Sequence, residues 1–201
     1  MLVGSGPSIE KFKFEKYSEY EAIPVNSIVK NEILLGKIQP KIIIASDPVY
    51  HSGPSRYAEK FRQALVSAMK KFGSFFIFPL RDSAIYEYYL PDGLKENLIG
   101  IPFNYSGNLN YNLQHSFSVN ATENVLTNLQ IPISAFLSDD ISMVGYDGRG
   151  NVVEDKLWDY SNESQFNEEI ASLIECHPSF FKRDNEKYLQ KHDSVLSQYF
   201  I

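Results

Sequence analysis

The sequence is poor in cysteine and has no hydrophobic run of membrane-spanning length. Cys176 is the only cysteine among 201 residues, so no disulfide can form within the chain and a reducing compartment is predicted. A membrane-spanning helix needs about 20 consecutive apolar residues, and no segment approaches this length. The start of the chain lacks the charged-then-apolar pattern of a secretory signal peptide. These absences predict a cytoplasmic protein.

Positive charge is also scarce. Lysine and arginine total 19 against 25 aspartate and glutamate residues, which gives a formal net charge of −6. A nucleic-acid-binding surface needs a dense group of basic side chains to neutralise phosphates, and no segment supplies one. DNA and RNA are therefore excluded as predicted partners.

Several signatures of metal binding and nucleophile activation are missing. No cysteine and histidine residues have the spacing of a zinc site, and no Asp-x-Asp pair is available for a divalent cation. The chain contains neither the Gly-x-Ser-x-Gly turn of serine hydrolases nor the lysine of a phosphate-binding P-loop. The sequence consequently predicts no metal site.

What the chain does contain begins with a short apolar stretch that stops at a glycine-rich turn. The residues of this turn are Gly4, Ser5, Gly6, Pro7 and Ser8. Because glycine has no Cβ atom, Gly4 and Gly6 would let a phosphate approach backbone N–H groups, and Ser8 would cap a following helix. The spacing differs from the G-x-G-x-x-G dinucleotide fingerprint, so an ordinary strand-to-loop turn is the alternative.

Strand-like and helix-like segments alternate along the rest of the chain. The predicted strands cover residues 1–3, 22–26, 41–45, 74–78, 97–103 and 141–145. The predicted helices cover residues 27–35, 55–71, 83–90, 122–137, 166–175 and a last segment ending at residue 199. Gly36 and Gly73 are expected to end the first two helices, and Pro132 to kink or shorten the fourth. Residues 104–114 are predicted to be an ordered loop or a mobile lid.

This alternation predicts an α/β fold. We expect one Rossmann-like domain over residues 1–201, with a mostly parallel sheet, helices on both faces and a lid-like helical segment at the C-terminal end. The first strand starts at the first residue, whereas a central strand normally has a few more residues before its turn. An alternative is therefore that the chain is a fragment of a longer protein.

Four strand ends carry glycine or polar residues. Besides the opening turn, Asn26 ends the second strand and Asp47 follows the third. Gly145 ends the last strand, and Tyr146 and Asp147 follow it. In a parallel sheet these ends share one edge, where ligands bind, so we expect them to line one crevice. A turn role is the alternative for each aspartate.

His177 is the candidate general base, and Pro178 restrains the chain directly after it. A neutral imidazole can accept the proton of a reacting hydroxyl near pH 7, whereas a protonated one can bind phosphate. A loop histidine with a structural role is the alternative. His51 is a weaker candidate, expected at the rim of the crevice.

These residues, in this order, resemble the bacterial sialyltransferase-like glycosyltransferases. This family includes the lipooligosaccharide sialyltransferases and shares a Rossmann-like fold with hydroxymethylpterin pyrophosphokinase-like enzymes. The resemblance spans nearly the whole chain and is carried by residues 2–8, Asn26, Asp47-Pro48, residues 122–127, 144–149 and 177–181, and Tyr188.

The resemblance implies inverting transfer of a sialic acid or related keto-sugar acid from a CMP-sugar donor to a glycan hydroxyl. It implies no metal or other cofactor, a role in surface polysaccharide synthesis, and peripheral association with the inner face of the membrane through the acceptor. Position by position, it implies that His177 is the general base. The donor would be bound by Gly4, Ser5, Gly6, Pro7, Ser8, Asn26, Asp47, Asn124, Gly145, Tyr146 and Asp147.

Two departures from the family pattern keep alternatives open. Ser5 stands where the family often has asparagine. Asp47 replaces an asparagine of the characterised sialyltransferases, and the pterin-kinase-like relatives use aspartate at that place. A pyrophosphokinase with Mg²⁺ held by Asp47 and Asp147 is therefore one alternative. A non-catalytic domain that binds a nucleotide sugar is the other.

Overall fold

The structure, a computed structural model, describes residues 1–105, 110, 112–148, 159–182 and 184–199. These residues form a mixed α/β fold of short strands and helices. The strands are β1 (Leu2–Val3), β2 (Ile23–Pro24), β3 (Ile42–Ile44), β4 (Phe75–Pro79), β5 (Leu98–Ile101), β6 (Phe103–Asn104), β7 (Val119–Asn120) and β8 (Met143–Val144). The α-helices are α1 (Glu32–Ile38), α2 (Arg56–Phe72), α3 (Ser83–Tyr89), α4 (Ile131–Leu137), α5 (Ile170–Cys176) and α6 (Asn185–Ser197).

The strand pairs that the structure describes are parallel, as the alternation of elements predicts. One sheet has the order β2-β1-β8, a second has the order β3-β4-β5, and β6 pairs with β7. A parallel bridge joins Val25, directly after β2, to Ile44 in β3, so the first two sheets lie edge to edge. Ile43 and Ile44 are fully buried, as expected where a parallel strand is covered on both faces.

Helix α2 follows the local sequence rules closely. Ser55 Oγ accepts the Ala58 N–H at 3.2 Å, and Gly73, with φ of +66°, ends the helix by donating its N–H to the Met69 carbonyl at 2.9 Å. The apolar residues that recur every fourth position are all buried, and they are Tyr57, Phe61, Leu65 and Met69. The predicted helix over residues 55–71, closed by Gly73, is confirmed.

The helix predicted over residues 27–35 is wrong at both ends. Asn26–Lys30 forms a 3₁₀ turn, and α1 starts after Asn31, whose Oδ1 accepts the Leu34 N–H at 2.9 Å. Gly36 lies inside α1, and Gln39 ends the helix with φ of +43°. The Asn31 side chain offers the backbone a capping bond in place of a continuous helix, which the count of apolar positions does not detect.

The helix predicted from residue 122 begins later, with a π-helical turn at Leu126–Gln130 that runs directly into α4. Pro132, the second residue of α4, lies directly after the π-helical turn and has no N–H group to offer the helical hydrogen-bond pattern. Asn124, rather than Thr122, caps the start, because Asn124 Oδ1 accepts the Leu126 N–H at 2.9 Å. The backbone accommodates the proline through the change from π- to α-helix.

Other sequence predictions fall partly outside the described residues. In the segment predicted to be a loop or lid, Asn104 belongs to β6 and residues 106–109 and 111 are not described. Arg149, at the end of the 144–149 motif of the resemblance, also lies outside the described residues.

Among the described residues, none of the helices combines the length and the apolar composition needed to cross a membrane.

Candidate functional site

The carboxyl ends of four strands lie side by side. Val3 pairs with Val144 on one side and with Pro24 on the other, and the bridge from Val25 to Ile44 adds β3. The residues that follow these strands therefore share one border of the sheets, which we call the carboxyl edge. It consists of residues 145–147, 4–8, 26–27 and 46–47. Ligands of parallel α/β proteins bind at such an edge.

Gly4 and Gly145 are in direct backbone contact across the carboxyl edge. A Cβ atom on Gly4 would lie 2.4 Å from the Gly145 carbonyl oxygen, and one on Gly145 would lie 2.3 Å from the Gly4 carbonyl oxygen. The Gly4 N–H donates to the Val144 carbonyl at 2.8 Å, and the Gly6 N–H to the Gly145 carbonyl at 2.9 Å. These two N–H groups are engaged within the protein, which corrects the expectation that they are open to a phosphate.

Asp147 caps the short helix that follows the glycine turn. Its Oδ2 accepts the Ser8 N–H at 2.7 Å, at the start of the 3₁₀ helix Pro7–Glu10. A Cβ atom on Gly6 would lie 2.5 Å from the same oxygen, so the absence of a side chain makes room for the carboxylate. The expected capping role of Ser8 is wrong, since the carboxylate of Asp147, which is distant in the sequence, supplies the cap.

Tyr146 is tied to β2 through a buried glutamine. The Tyr146 hydroxyl donates to Gln130 Oε1, and Gln130 Nε2 donates to the Ile23 carbonyl at 2.9 Å. Gln130 is fully buried, and burial of the Tyr146 hydroxyl raises its pKa above the ordinary tyrosine value. The Tyr146 ring also rests on Gly4, because a Cβ there would lie 2.9 Å from Tyr146 Cζ. The glycine turn is thus held between a strand and an aromatic ring.

The bridge predicts a measurable coupling between Gln130 and Tyr146. We expect Gln130→Leu to lower the free energy of unfolding by about 2–3 kcal/mol, because it leaves two buried polar groups unpaired. Tyr146→Phe should cost about 1 kcal/mol, and the double variant should cost less than the sum, since each change already breaks the shared bond. Urea unfolding of the four proteins measures this, and strictly additive costs would contradict the bridge.

Asn26 combines backbone strain with an unsatisfied amide. Its φ of +52° lies in the left-handed region, which costs a residue with a side chain about 1–2 kcal/mol. Its Oδ1 atom is buried and accepts no hydrogen bond from the described residues. Such outliers concentrate at binding and catalytic sites. No contact within the described residues accounts for either feature, so Asn26 is the strongest candidate for a ligand contact on the carboxyl edge.

Asp47 has a local structural role. Its Oδ1 accepts the N–H groups of Val49 at 2.9 Å and Tyr50 at 3.3 Å, which caps the π-helical turn Pro48–Ser52. Asn124, as described above, is likewise a local cap. Within the described part of the chain, no three histidine, cysteine or acidic side chains are grouped so that they could hold a metal ion.

His177 lies against the loop that follows Asp47. A Cβ atom on Gly53 would be 2.8 Å from His177 Nε2, and this nitrogen is buried without a hydrogen-bond partner in the described chain. The histidine backbone is fixed, because its N–H donates to Leu173 at 2.8 Å and its carbonyl accepts from Phe180 at 3.1 Å. The chain thus returns His177 to the β3 end of the carboxyl edge.

His51 is a core residue and not a rim residue. Only 2% of it is exposed, and its ring centroid lies 4.2 Å from that of Phe61. Burial lowers the pKa of His51 to about 3, so the imidazole is neutral at physiological pH. The expectation that His51 lines the crevice is therefore wrong.

The segment before α5 also crosses the carboxyl edge, which sequence reasoning missed. Ser161 donates its N–H to the Ser5 carbonyl at 2.8 Å and its hydroxyl to Glu10 Oε1 at 2.7 Å. Further along, Gln165 Oε1 accepts the hydroxyl of Tyr57 from α2. The sequence here is polar and without periodicity, so no local signal indicates this placement.

One described cavity lies elsewhere. It has a volume of about 320 Å³ and is lined by Met1, Phe14, residues 17–22 and residues 37–39. Met1 and Ala22 precede β1 and β2, so this cavity is at the opposite border of the sheet. None of the candidate site residues lines it.

Comparisons with protein-family models, with curated proteins and with solved structures found no significant match for this chain. The arguments about function below therefore depend on the residues and on the geometry of the carboxyl edge.

Proposed function

We propose that the protein is a metal-independent inverting glycosyltransferase. It moves a sialic acid or related keto-sugar acid from a CMP-sugar donor to a hydroxyl of a surface glycan. The observation that carries this proposal is Asn26, a strained residue with an unsatisfied amide oxygen beside the glycine turn. An amide oxygen without a hydrogen-bond partner among the described residues suits a ligand that offers N–H or O–H donors, such as a nucleoside.

The proposal includes the finer description of the fold. The parallel strands form a Rossmann-like domain, and the donor binds at the carboxyl edge. The acceptor, a growing polysaccharide, brings the protein from the cytoplasm to the inner face of the membrane. Asn26 and the Ser5 hydroxyl are the polar groups at the centre of this edge, and Tyr146 and Asp147 border it.

In the reaction, an acceptor hydroxyl attacks the anomeric carbon of the donor sugar as the bond to the CMP phosphate breaks. His177 takes the hydroxyl proton, and CMP leaves with the electron pair of the broken bond. Since Nε2 faces Gly53, the acceptor approaches the imidazole from its other side. The fixed backbone of His177 supports this role.

We expect CMP to stabilise the protein without added metal. At 100 times its dissociation constant, a ligand adds about 2.7 kcal/mol to the free energy of unfolding. Thermal unfolding with CMP, CDP, UDP or ATP, each with Mg²⁺ and with EDTA, measures the effect. Stabilisation by ATP with Mg²⁺ alone would contradict the proposal and favour the pyrophosphokinase.

Asn26→Gly is the matched variant for this experiment. Glycine accepts the positive φ without strain, so the variant should be about 1 kcal/mol more stable than the wild type in the absence of ligand. It lacks the amide, so its stabilisation by CMP should be smaller. A variant that is more stable without ligand but gains less stability from CMP would show that Asn26 serves binding. A variant that is less stable without ligand would show that Asn26 serves the fold.

A further inference from the structure

Tyr160 directly precedes a segment that is anchored on the carboxyl edge. The neighbouring Ser161 is fixed to Ser5 and Glu10 by hydrogen bonds of 2.8 and 2.7 Å. These bonds attach the chain to the glycine turn that follows β1. Tyr160 is thereby held directly beside this turn.

The same segment continues across the ends of β2 and β3. Lys30 Nζ, from the 3₁₀ turn after β2, donates to the Asn162 carbonyl at 3.4 Å. Tyr57, at the start of α2, donates to Gln165, and its ring centroid lies 5.3 Å from that of Tyr50 in the turn after β3. Residues 160–165 therefore span three strand ends.

Tyr160 is partly exposed although its hydroxyl is desolvated. The residue is 45% exposed overall. Its hydroxyl is desolvated, which raises its pKa above the ordinary value, and the charged and phenolic groups that act on it belong to Tyr50, Tyr57, Asp47 and Tyr188. Tyr160 thus has surface available to a ligand, and its hydroxyl lies within electrostatic range of groups in the turn after β3.

We propose that Tyr160 contacts the donor, and that its exposed ring stacks on the pyrimidine base of the nucleotide. The inference rests on the proposed function and deepens it by naming the group that recognises the base. Because the neighbouring Ser161 fixes the backbone beside the glycine turn, Tyr160 loses less conformational freedom when a base stacks on it. Base–aromatic stacking is worth enough for loss of the ring to weaken binding about 5-fold to 150-fold.

The test is a CMP titration of wild type, Tyr160→Phe and Tyr160→Ala, by calorimetry and by tryptophan fluorescence. Trp158, the only tryptophan in the chain, precedes Tyr160 by two residues and is the only source of that signal. We expect Tyr160→Phe to bind within about 2-fold of the wild type, since it keeps the ring, and Tyr160→Ala to bind about 5-fold to 150-fold more weakly. Tyr88→Ala, which removes an 81% exposed tyrosine on α3, is the control and should bind normally.

The outcomes distinguish this inference from the proposed function. If the wild type binds CMP and Tyr160→Ala binds it equally well, only the inference is overturned. If the wild type binds none of CMP, CDP and UDP at millimolar concentration, both fail. Equal weakening in the Phe and Ala variants would assign the contact to the hydroxyl and overturn stacking. Should the Ala variant not fold, Tyr160→Leu keeps apolar bulk without an aromatic face, and full affinity in it would overturn the inference.

Discussion

His177→Ala is expected to lower turnover about 10²-fold to 10⁴-fold while donor affinity changes little, because loss of a general base typically has an effect of this size. The hydrogen bonds of His177 to Leu173 and Phe180 are made by its backbone and remain when the imidazole is removed. The substitution should therefore not rearrange the glycine turn at the other end of the carboxyl edge. Steady-state rates together with CMP titrations measure the two quantities separately.

Gly53→Ala and His115→Ala are the matched controls. A Cβ at Gly53 would lie 2.8 Å from His177 Nε2, so it displaces the imidazole without removing it, and turnover should fall by less than in His177→Ala. His115 is an exposed histidine in another loop, and its removal should leave turnover unchanged.

The competing role of His177 is a cation that binds the donor phosphate. In that case His177→Ala would lose donor affinity. A general base gives the opposite pattern, in which the variant keeps donor affinity and loses turnover. Wild-type turnover and affinity in His177→Ala would show that the histidine takes no part.

The parts of the fold that follow local rules could be predicted from the sequence. Helix α2 has a capping serine, an apolar residue at every fourth position and a terminal glycine, and these signals agree with one another. Helix α1 was mispredicted because Gly36 suggests a terminus that the structure places at Gln39. The preference of glycine for helix ends is weak where packing and the Asn31 cap determine where the helix starts and ends.

The candidate site could likewise be predicted from the sequence only in part. The arrival of four strand ends at one edge follows from parallel pairing, which continuous apolar runs such as 41–45 indicate. The engagement of the Gly4 and Gly6 N–H groups could not be predicted, because their partners belong to β8 and the residue after it. Gln130 and Tyr160 were missed because a buried amide in a helix and a tyrosine in an aperiodic segment leave no local pattern.

Gly145→Ala is expected to have the largest effect on stability, with a loss of about 3–5 kcal/mol in the free energy of unfolding. Its φ of +76° is unfavourable for alanine, and the new Cβ would lie 2.3 Å from the Gly4 carbonyl oxygen and 2.4 Å from Ile9 Cγ2. Gly4 directly follows β1 and donates its N–H to Val144 in β8, so it cannot move aside without disturbing the pairing of β1 with β8. Globular domains are stable by about 5–15 kcal/mol, so this loss is a large share of the total.

Gly73→Ala separates the two contributions. Gly73 has a similar φ of +66°, but a Cβ there meets nothing within 4 Å, so the variant should lose only the conformational cost of about 1–2 kcal/mol. Urea unfolding of both variants gives the difference, which is the cost of separating the glycine turn from the chain after β8. Equal losses in the two variants would mean that β1 and β8 can move apart freely. In that case the close contact would not hold the carboxyl edge together, and Gly145 would be needed only for its backbone conformation.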